Sequence, residues 1–280
     1  MEHATGISLI VAAALFASFY RLVIKLSGDR LTLLAGLNGI SALVGLVGVW
    51  FVPPLPLASA PYLLASSMAY VASMYFLTLG YRHADFSHLT PLQGAIRVLA
   101  IAILMVLFMG EQATAYHWLA AVLVIIAFIM QMNPYDLRGA GSCWILGVAV
   151  LCGLSSAAQY VADIAGVRSV DTAWTYIVWN LFIGVPLVLY GVLSRPRAIL
   201  PAMYSQLRPV LAGSALDVIG YAMILLVVHY LAVLDILPIL NLHILFTAVL
   251  GVILLREPFG IRRIIASIVL LLAALVVEIT

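Results

Sequence analysis

The chain has 280 residues, of which 65% are apolar, and it carries only 13 Lys or Arg and 11 Asp or Glu residues. A soluble domain is about a quarter charged and about half apolar, so this composition excludes a soluble protein and predicts one that is embedded in a membrane. The net charge of +2 offers no basic face for nucleic acid. The two cysteines give neither a metal-ligand spacing nor a disulfide framework.

Ten segments are long and apolar enough to cross a hydrocarbon core of about 30 Å as helices. The first segment lacks a basic leader and is too long for a signal peptide, so we expect it to remain as a span. All connections are short, which leaves no room for a soluble catalytic or nucleotide-binding domain. The predicted spans are residues 5–26, 31–52, 60–82, 88–109, 114–132, 142–166, 171–193, 208–231, 235–255 and 260–279.

Basic residues lie almost entirely on one side of these spans. Eleven of them lie on the side that is reached after odd-numbered spans, whereas Arg168 lies on the opposite side and Arg97 lies inside span 4. By the positive-inside rule the eleven mark the cytoplasm, so both termini are expected on the non-cytoplasmic side. The eleven are Arg21, Lys25, Arg30, Arg82, Arg138, Arg195, Arg197, Arg208, Arg256, Arg262 and Arg263.

One long hydrophobic pattern occurs twice. Residues 91–111 and 238–257 each begin with a proline and end with a glutamate. A copy with five spans has an odd number of crossings, so the second copy must be inserted upside down relative to the first. The sequence therefore predicts an all-α membrane protein of ten transmembrane helices, with inverted five-helix repeats at 1–135 and 140–280 around a central cavity.

With these features the chain resembles the drug/metabolite transporter superfamily, in its EamA-type branch of ten-helix exporters. The fourth helix of each repeat is entered through a proline and left through Gly110–Glu111 or Arg256–Glu257, before a short fifth helix. The resemblance covers essentially the whole chain. It implies an exporter of small metabolites, often amino acids, that works by alternating access. It also implies that spans 1, 3, 4, 6, 8 and 9 line the cavity, with spans 5 and 10 at the periphery.

Two features depart from that family's pattern. Members are often drawn with both termini in the cytoplasm, whereas the basic residues here favour the reverse. The small multidrug-resistance relatives carry a carboxylate in their first helix, and none lies between Ala12 and Tyr20. This absence argues against a proton-coupled exporter of lipophilic cations.

Charged side chains inside the predicted spans are the leading site candidates, because each must face protein or water. Arg97 lies near the middle of span 4, with Gln93 one turn before it. A guanidinium binds a carboxylate through two parallel hydrogen bonds, so Arg97 is predicted to hold a substrate carboxylate. The alternative is a structural arginine that bonds to backbone carbonyls or reaches for the membrane surface.

Two aspartates occupy later spans. Asp217 in span 8, with Tyr221 one turn on, is predicted to bind a substrate ammonium or to carry a coupling proton. Its alternative role is to pair with Arg97 and hold the two halves together. In span 6, Gln159 and Asp163 share one helix face. Asp163 is a coupling or gating candidate, or a solvated residue near the outer boundary.

Polar and aromatic side chains of spans 3, 6 and 9 complete the predicted substrate site. Asn241 and His243 lie near the middle of span 9, where the histidine would either titrate near neutral pH or pack as a neutral, hydrogen-bonded group. Tyrosines give a cavity flat apolar walls with a hydroxyl handle. The tyrosines predicted to line it, besides Tyr221, are Tyr70, Tyr75 and Tyr160.

Pro91 and Pro238 occupy matched positions in spans 4 and 9. If the helices begin well before them, each proline removes a backbone hydrogen bond and creates a hinge that would act in gating. If the helices begin near Thr90 and Leu237, the prolines occupy ordinary first-turn positions. We favour the second arrangement.

Glu111 and Glu257 close the two copies of the repeated segment, at opposite faces of the membrane. A carboxylate is stabilised near the positive N-terminal end of a helix. We therefore expect each glutamate to lie near the N-terminus of the next helix, with gating as the alternative.

Other classes of membrane protein fit less well. The segment Gly153-Leu-Ser155-Ser156 faintly resembles an intramembrane serine protease site, but the glycine after the serine is absent. No HExxH or paired aspartate-rich motif is found in the sequence, and a channel would need a filter-like loop or a ring of charges. We expect no enzymatic activity, catalytic residue, cofactor or metal.

The predicted function is therefore secondary-active export of small metabolites, amino acids first among them, across the inner cell membrane. Alternating access would proceed through a midplane cavity between the repeats. A buried arginine, a buried aspartate and several tyrosines suit a zwitterion with an apolar side chain. A broader, proton-coupled drug or metabolite exporter is the alternative. The expected partners are the small-molecule substrate and the lipid bilayer, with no nucleic acid, and a monomer is sufficient.

Overall fold

The computed structural model describes residues 3–27, 29–80, 86–131, 142–195, 199–255 and 261–278. Every regular element within these ranges is a helix. The helices are α1 His3–Leu26, α2 Arg30–Gly48, α3 Ala60–Gly80, α4 Phe86–Met109, α5 Ala115–Gln131, α6 Ser142–Arg168, α7 Ala173–Asn180, α8 Val185–Ser194, α9 Ile199–Ser205, α10 Leu207–Tyr230, α11 Val233–Leu240, α12 His243–Leu255 and α13 Ile261–Glu278.

Five helical segments of the described chain have the length and composition to cross a membrane: Ala4–Ile24, Ala60–Gly80, Trp144–Arg168, Ala173–Ser194 and Leu207–Tyr230. Five shorter apolar helices accompany them, at Thr32–Gly48, Gln93–Met109, Ala115–Met130, Val233–Thr247 and Ile265–Val276. The all-α prediction is confirmed for the described residues, and the long apolar helices are compatible with a membrane-embedded protein. The count of ten spans and their inverted arrangement stay predictions.

Two of the predicted spans are each divided into a pair of helices. Span 7 becomes α7 and α8, joined by a turn over residues 181–184 in which the N–H of Ile183 donates to the carbonyl of Asn180 at 3.0 Å. Pro186 then lies in the first turn of α8, where its missing N–H is tolerated. Span 9 becomes α11 and α12, separated by Asn241 and Leu242.

The prolines of the repeated segment lie inside their helices. Because α4 begins at Phe86 and α11 at Val233, Pro91 and Pro238 are each the sixth residue of a helix. The first-turn placement that the sequence favoured is therefore wrong, since both helices begin several residues earlier. The consequences differ between the copies: α4 continues to Met109, whereas α11 stops two residues after its proline.

The chain divides into two compact units, and each combines sequence from both predicted repeats. Two of the three boundaries between the units fall inside α3 and α6, and the third lies between α10 and α11. The units are therefore not the two sequence repeats, whose duplication stays a prediction. Unit 1 is Met1–Val71 with Ala162–Tyr230, and unit 2 is Ala72–Val161 with Leu231–Thr280.

Small residues bring helices of unit 1 close together. A Cβ added at Gly36 would lie 2.8 Å from a methyl of Val210, and one added at Gly213 would lie 2.6 Å from Leu37. The hydroxyl of Ser214 donates to the carbonyl of Leu37 at 3.0 Å. Glycine and serine thus allow α2 and α10 to pack backbone to backbone, as in many membrane helix pairs.

A polar cluster in unit 1 joins the α1–α2 connection to residues that lie near α8 and α9. Asp29 precedes α2, and its carboxylate accepts from the hydroxyl of Thr32 at 2.7 Å and from the guanidinium of Arg195 at 2.8 Å. Partial burial opposes the charged form, but the bonds from Thr32 and the charge of Arg195 together lower the pKa of Asp29 below its ordinary value. Beside it, the hydroxyl of Ser27 donates to the side-chain carbonyl of Gln206 at 2.8 Å.

In unit 2, α13 packs along α5. Both helices place fully buried, mostly small side chains at helical spacing, which produces a close interface. A Cβ at Gly94 of α4 would overlap the ring of Phe128, so α4 also approaches α5 closely. The fully buried residues at this spacing are Ala120, Val124 and Ala127 of α5 and Ala266, Leu270 and Ala273 of α13.

Candidate functional site

The residues predicted for the substrate site fall into both units. Unit 1 contains Tyr70, Asp163, Asp217 and Tyr221. Unit 2 contains Tyr75, Pro91, Gln93, Arg97, Gln159, Tyr160, Pro238, Asn241 and His243. Both aspartates thus belong to unit 1, and the arginine belongs to unit 2.

Asp163 is the centre of a buried hydrogen-bond cluster in unit 1. One carboxylate oxygen accepts from the hydroxyl of Tyr176 at 3.1 Å and from the amide of Asn180 at 2.6 Å. The other accepts from the hydroxyl of Tyr221 at 2.5 Å. The side chain is 0% exposed, so the solvated alternative for Asp163 is wrong. Partners from α7 and α10 replace the water that a residue at the membrane boundary would have.

The sequence missed two members of this cluster. Tyr176 and Asn180 are four residues apart in α7 and therefore lie on one face of this short helix. That spacing is visible in the sequence, but nothing in the sequence places it opposite Asp163. The turn after Asn180 leaves its side chain at the end of α7, where it donates to the carboxylate.

The second aspartate of unit 1 has different surroundings. Asp217 is partly buried, and its charge acts on the hydroxyls of Tyr20 and Tyr70. The Tyr70 hydroxyl itself donates to Asn38 at 3.1 Å. In the described part of unit 1, no side chain donates a hydrogen bond to Asp217. Tyr20, in predicted span 1, was not among the sequence candidates.

Arg97 lies against an aromatic ring in unit 2. The carbon at the centre of its guanidinium is 5.5 Å from the centroid of the Tyr160 ring, which is a cation–π distance. Its charge also acts on the thiol of Cys152. Within the described part of unit 2 the guanidinium has no hydrogen-bond acceptor, in contrast to the structural arginine that bonds to carbonyls.

A glycine permits the helices that carry Arg97 and Tyr160 to approach each other. A Cβ added at Gly153 of α6 would lie 2.9 Å from the carbonyl oxygen of Gln93 and 2.8 Å from Ile96, both in α4. Any larger residue would push α6 away from α4. Gln93 is partly buried, and Gln159, one residue before Tyr160, is buried.

The helix break in unit 2 carries two buried polar side chains. The Asn241 amide donates to the carbonyl of Leu237 at 2.7 Å, and its own side-chain oxygen has no partner among the described residues. His243 pairs through Nδ1 with the carbonyl of Leu240 at 2.9 Å and is 2% exposed. Since a carbonyl only accepts, Nδ1 must be the donor. These contacts are typical of a packing histidine.

Tyr75 stands apart from the other candidates. Its side chain is 62% exposed, and its ring makes an edge contact with Phe76, with the ring centroids 5.5 Å apart. The side chain of Pro91 lies outside the described residues, as does Glu257.

Glu111 binds a helix that is distant in the sequence. Its two carboxylate oxygens accept from the N–H of Val233 at 3.0 Å each, and one also accepts from the N–H of Leu234 at 3.1 Å. The expectation of a carboxylate at a helix N-terminus is thus met by α11. The next helix along the chain, α5, had been expected instead. The sequence cannot give this pairing, because it depends on which helices are neighbours in space.

A histidine–aspartate pair joins the same two segments. Nε2 of His117 lies 2.8 Å from a carboxylate oxygen of Asp235, which is in the first turn of α11. The N–H of Thr114 donates to Nδ1 of His117 at 3.0 Å. Because Nδ1 accepts, Nε2 carries the hydrogen and donates it to Asp235.

The fold and these clusters define an all-helical protein that is compatible with a membrane and holds charged side chains within apolar helices. No family model matches the chain, and no curated protein is similar to it. A solved structure described only as the crystal structure of a protein is similar to it over 98% of each chain, with a TM-score of 0.73 and 15% identity. At this identity the likeness shows the fold alone.

Proposed function

We propose that this protein is a secondary-active transporter of the inner cell membrane that exports small metabolites, amino acids foremost, by alternating access. One observation carries the proposal. In the described part of unit 2, the guanidinium of Arg97 lies on the ring of Tyr160 with no hydrogen-bond acceptor.

An arginine in an apolar helix is costly, by about 2.5–3.5 kcal/mol on insertion scales. The cation–π contact with Tyr160 stabilises the guanidinium without using its N–H groups as hydrogen-bond donors. A carboxylate is the group that matches those N–H groups, because it accepts two parallel hydrogen bonds. A substrate carboxylate therefore explains both the position of Arg97 and the lack of a fixed acceptor.

Asp217, which lies in unit 1, supports the proposal that the substrates are amino acids. Its charge acts on the hydroxyls of Tyr20 and Tyr70, and its carboxylate has no hydrogen-bond donor in the described part of that unit. An ammonium group would supply the missing donors. An α-amino acid carries both an ammonium and a carboxylate, and among the described residues neither Asp217 of unit 1 nor Arg97 of unit 2 has a fixed hydrogen-bonding partner.

The proposal includes membership of the drug/metabolite transporter superfamily, with ten spans, inverted repeats and both termini on the non-cytoplasmic side. The duplicated proline-to-glutamate segments support it. The break between α11 and α12 supports it as well, because carriers bind substrates at interrupted helices within the membrane.

A broader, proton-coupled drug or metabolite exporter is the second candidate. Asp217 favours it, because a carboxylate without a fixed donor can exchange a proton for a cationic substrate. Under this proposal the substrate would be an amine that needs no carboxylate, and Arg97 would be dispensable.

Counterflow into proteoliposomes tests the first candidate. We expect methionine, threonine and aromatic amino acids to compete, and their amides and decarboxylated amines to compete poorly. Arg97→Gln should weaken the apparent affinity for amino acids about 10- to 100-fold, because a charge-assisted hydrogen bond is lost. Arg97→Lys should weaken this apparent affinity less than Arg97→Gln does.

Arg208→Gln is the matched control, since it removes an equally charged but exposed arginine and should leave affinity unchanged. Absence of competition by every amino acid would refute the proposal, and so would full affinity in Arg97→Gln. Competition by amines together with flux driven by a pH gradient would favour the second candidate.

A further inference from the structure

We propose that Glu111 and His117 form a latch on the N-terminus of α11, and that its release lets this short helix swing about the break at Asn241. Both residues lie in or just after the α4–α5 connection, and both bind the first turn of α11. This inference goes beyond the proposed function, because it concerns how part of unit 2 moves.

The cap on α11 comes from a remote segment. The first N–H groups of a helix have no partner within it, and the preceding residue usually supplies a side-chain acceptor. Here that residue is Ala232, which has none, and Glu111 accepts from Val233 and Leu234 instead. The start of α11 is thus bound to another part of unit 2 through the side chain of Glu111. These bonds can break without breaking the hydrogen bonds within the helix.

Gly110 makes this reach possible. It takes a φ of +66°, a left-handed conformation that side chains with a Cβ rarely adopt. The chain reverses there at the end of α4, and Glu111 follows directly. The backbone turn therefore presents the carboxylate of Glu111 to α11.

His117 supplies a second fastening on the same turn of α11. Its tautomer is fixed, because the N–H of Thr114 occupies Nδ1 and Nε2–H donates to Asp235 at 2.8 Å. Asp235 in turn suits the first turn of a helix, where a negative charge is stabilised. The two fastenings hold this end of α11 in addition to the packing of its buried apolar side chains.

At its other end α11 passes into a hydrogen-bonded turn, in which the N–H of Leu242 donates to the carbonyl of Ile239 at 3.0 Å. Pro238 removes one N–H from the ladder, and the helix stops at Leu240 before Asn241 and Leu242 turn the chain into α12. A helix of eight residues fastened by side chains at one end and interrupted at the other can move as a rigid piece. Hinges of this kind lie at element ends in closing domains.

Thiol labelling of a buried position in α11 tests the latch. Ile236 is 2% exposed, so Ile236→Cys should react slowly with a membrane-impermeant maleimide in nanodiscs, on a background of Cys143→Ala and Cys152→Ala. Glu111→Ala combined with His117→Leu should raise the labelling rate about 10-fold or more, because several bonds to charged groups are lost. Glu111→Gln, which keeps one acceptor oxygen, should give a smaller rise.

Two controls separate release of α11 from unfolding. Val227→Cys in α10 of unit 1 is fully buried and should stay unreactive in the same variants. Arg195→Gln breaks the ion pair with Asp29 in unit 1 and should leave the labelling of Ile236→Cys unchanged. If Glu111→Ala does not fold, Glu111→Gln and His117→Gln carry the test.

Unchanged labelling in the folded latch variants would overturn the proposal. A parallel rise at Val227→Cys would also overturn it, because it would mean general loosening. Labelling needs no substrate, so failure of amino-acid counterflow would refute the proposed function and leave this test decisive.

Discussion

Asp163 in unit 1 and Arg97 in unit 2 are both charged residues within apolar helices, but their surroundings are opposite. Asp163 is completely buried and receives hydrogen bonds from three side chains. Arg97 is partly buried, lies on one aromatic ring and has no hydrogen-bond acceptor in the described part of unit 2. One charge is supplied with partners by the fold, and the other is not.

This difference in hydrogen bonding separates a charge that stabilises the fold from a charge that is available to a ligand. A buried charge whose partners come from neighbouring helices joins those helices, and its removal leaves the partners unsatisfied. A charge without a fixed partner stabilises nothing by hydrogen bonding and is available to a ligand. We therefore expect Asp163 to act in stability, although the sequence had made it a coupling or gating candidate.

The largest expected effect is on the stability of unit 1. Asp163→Ala leaves the hydroxyls of Tyr176 and Tyr221 and the amide of Asn180 without their acceptor, so the unfolding free energy should fall by about 3 kcal/mol or more. Thermal unfolding in detergent micelles, followed by tryptophan fluorescence, measures it. Arg97→Gln is the matched variant and should unfold close to the wild type. Equal unfolding midpoints for the two variants would contradict the different roles assigned to Asp163 and Arg97.

A smaller effect is expected from the ring beneath Arg97. Tyr160→Leu removes the cation–π contact, which is worth about 1 kcal/mol, so the apparent affinity for amino acids should weaken about fivefold. Tyr160→Phe keeps the ring and should retain the affinity. Counterflow at varied substrate concentration measures the apparent affinity of both variants. If the phenylalanine variant were the weaker one, the hydroxyl of Tyr160 would contact substrate directly.

The smallest effect concerns the exposed ion pair of Asp29 and Arg195. The folded pKa of Asp29 lies below its ordinary value of 3.8, so the pair stabilises at pH values above that value and this contribution is lost as the pH falls through the folded pKa. Arg195→Gln should therefore lower the unfolding midpoint slightly at pH 7, and the gap should close as the pH falls below 3.8 and through the folded pKa of Asp29. Unfolding scans across this range measure it, and a gap that widens in acid would contradict the assignment.

Hydropathy predicted the helices well because a long apolar run has few alternatives to a helix in a membrane. Spans 3 and 8, for example, match α3 and α10 to within two residues. The breaks after Asn180 and Leu240 escaped detection, since the apolar composition continues across both. Pro238 was noticed, but its effect depends on context: Pro91, its counterpart, lies in a helix that continues.

The site was predictable as a set of residues and unpredictable as a set of contacts. Arg97, Asp163 and Asp217 stand out because ionisable residues are rare in apolar helices. The partners of Asp163 are ordinary residues such as Tyr176 and Asn180, which become significant only through the packing of distant helices. Glu111 shows the same limit, because its correct environment was inferred and the wrong helix was assigned to it.

The interleaving of the two units also bears on how the chain is made. The first part of unit 1 ends at Val71, and its second part begins only at Ala162. Early helices such as α2, with its polar Asn38, are therefore made well before the second part of their unit. Unit 2 in turn is split, because its second part begins only at Leu231, after the second part of unit 1. Assembly should be late and cooperative, and the nascent helices depend meanwhile on lipids or insertion factors to shield their polar faces.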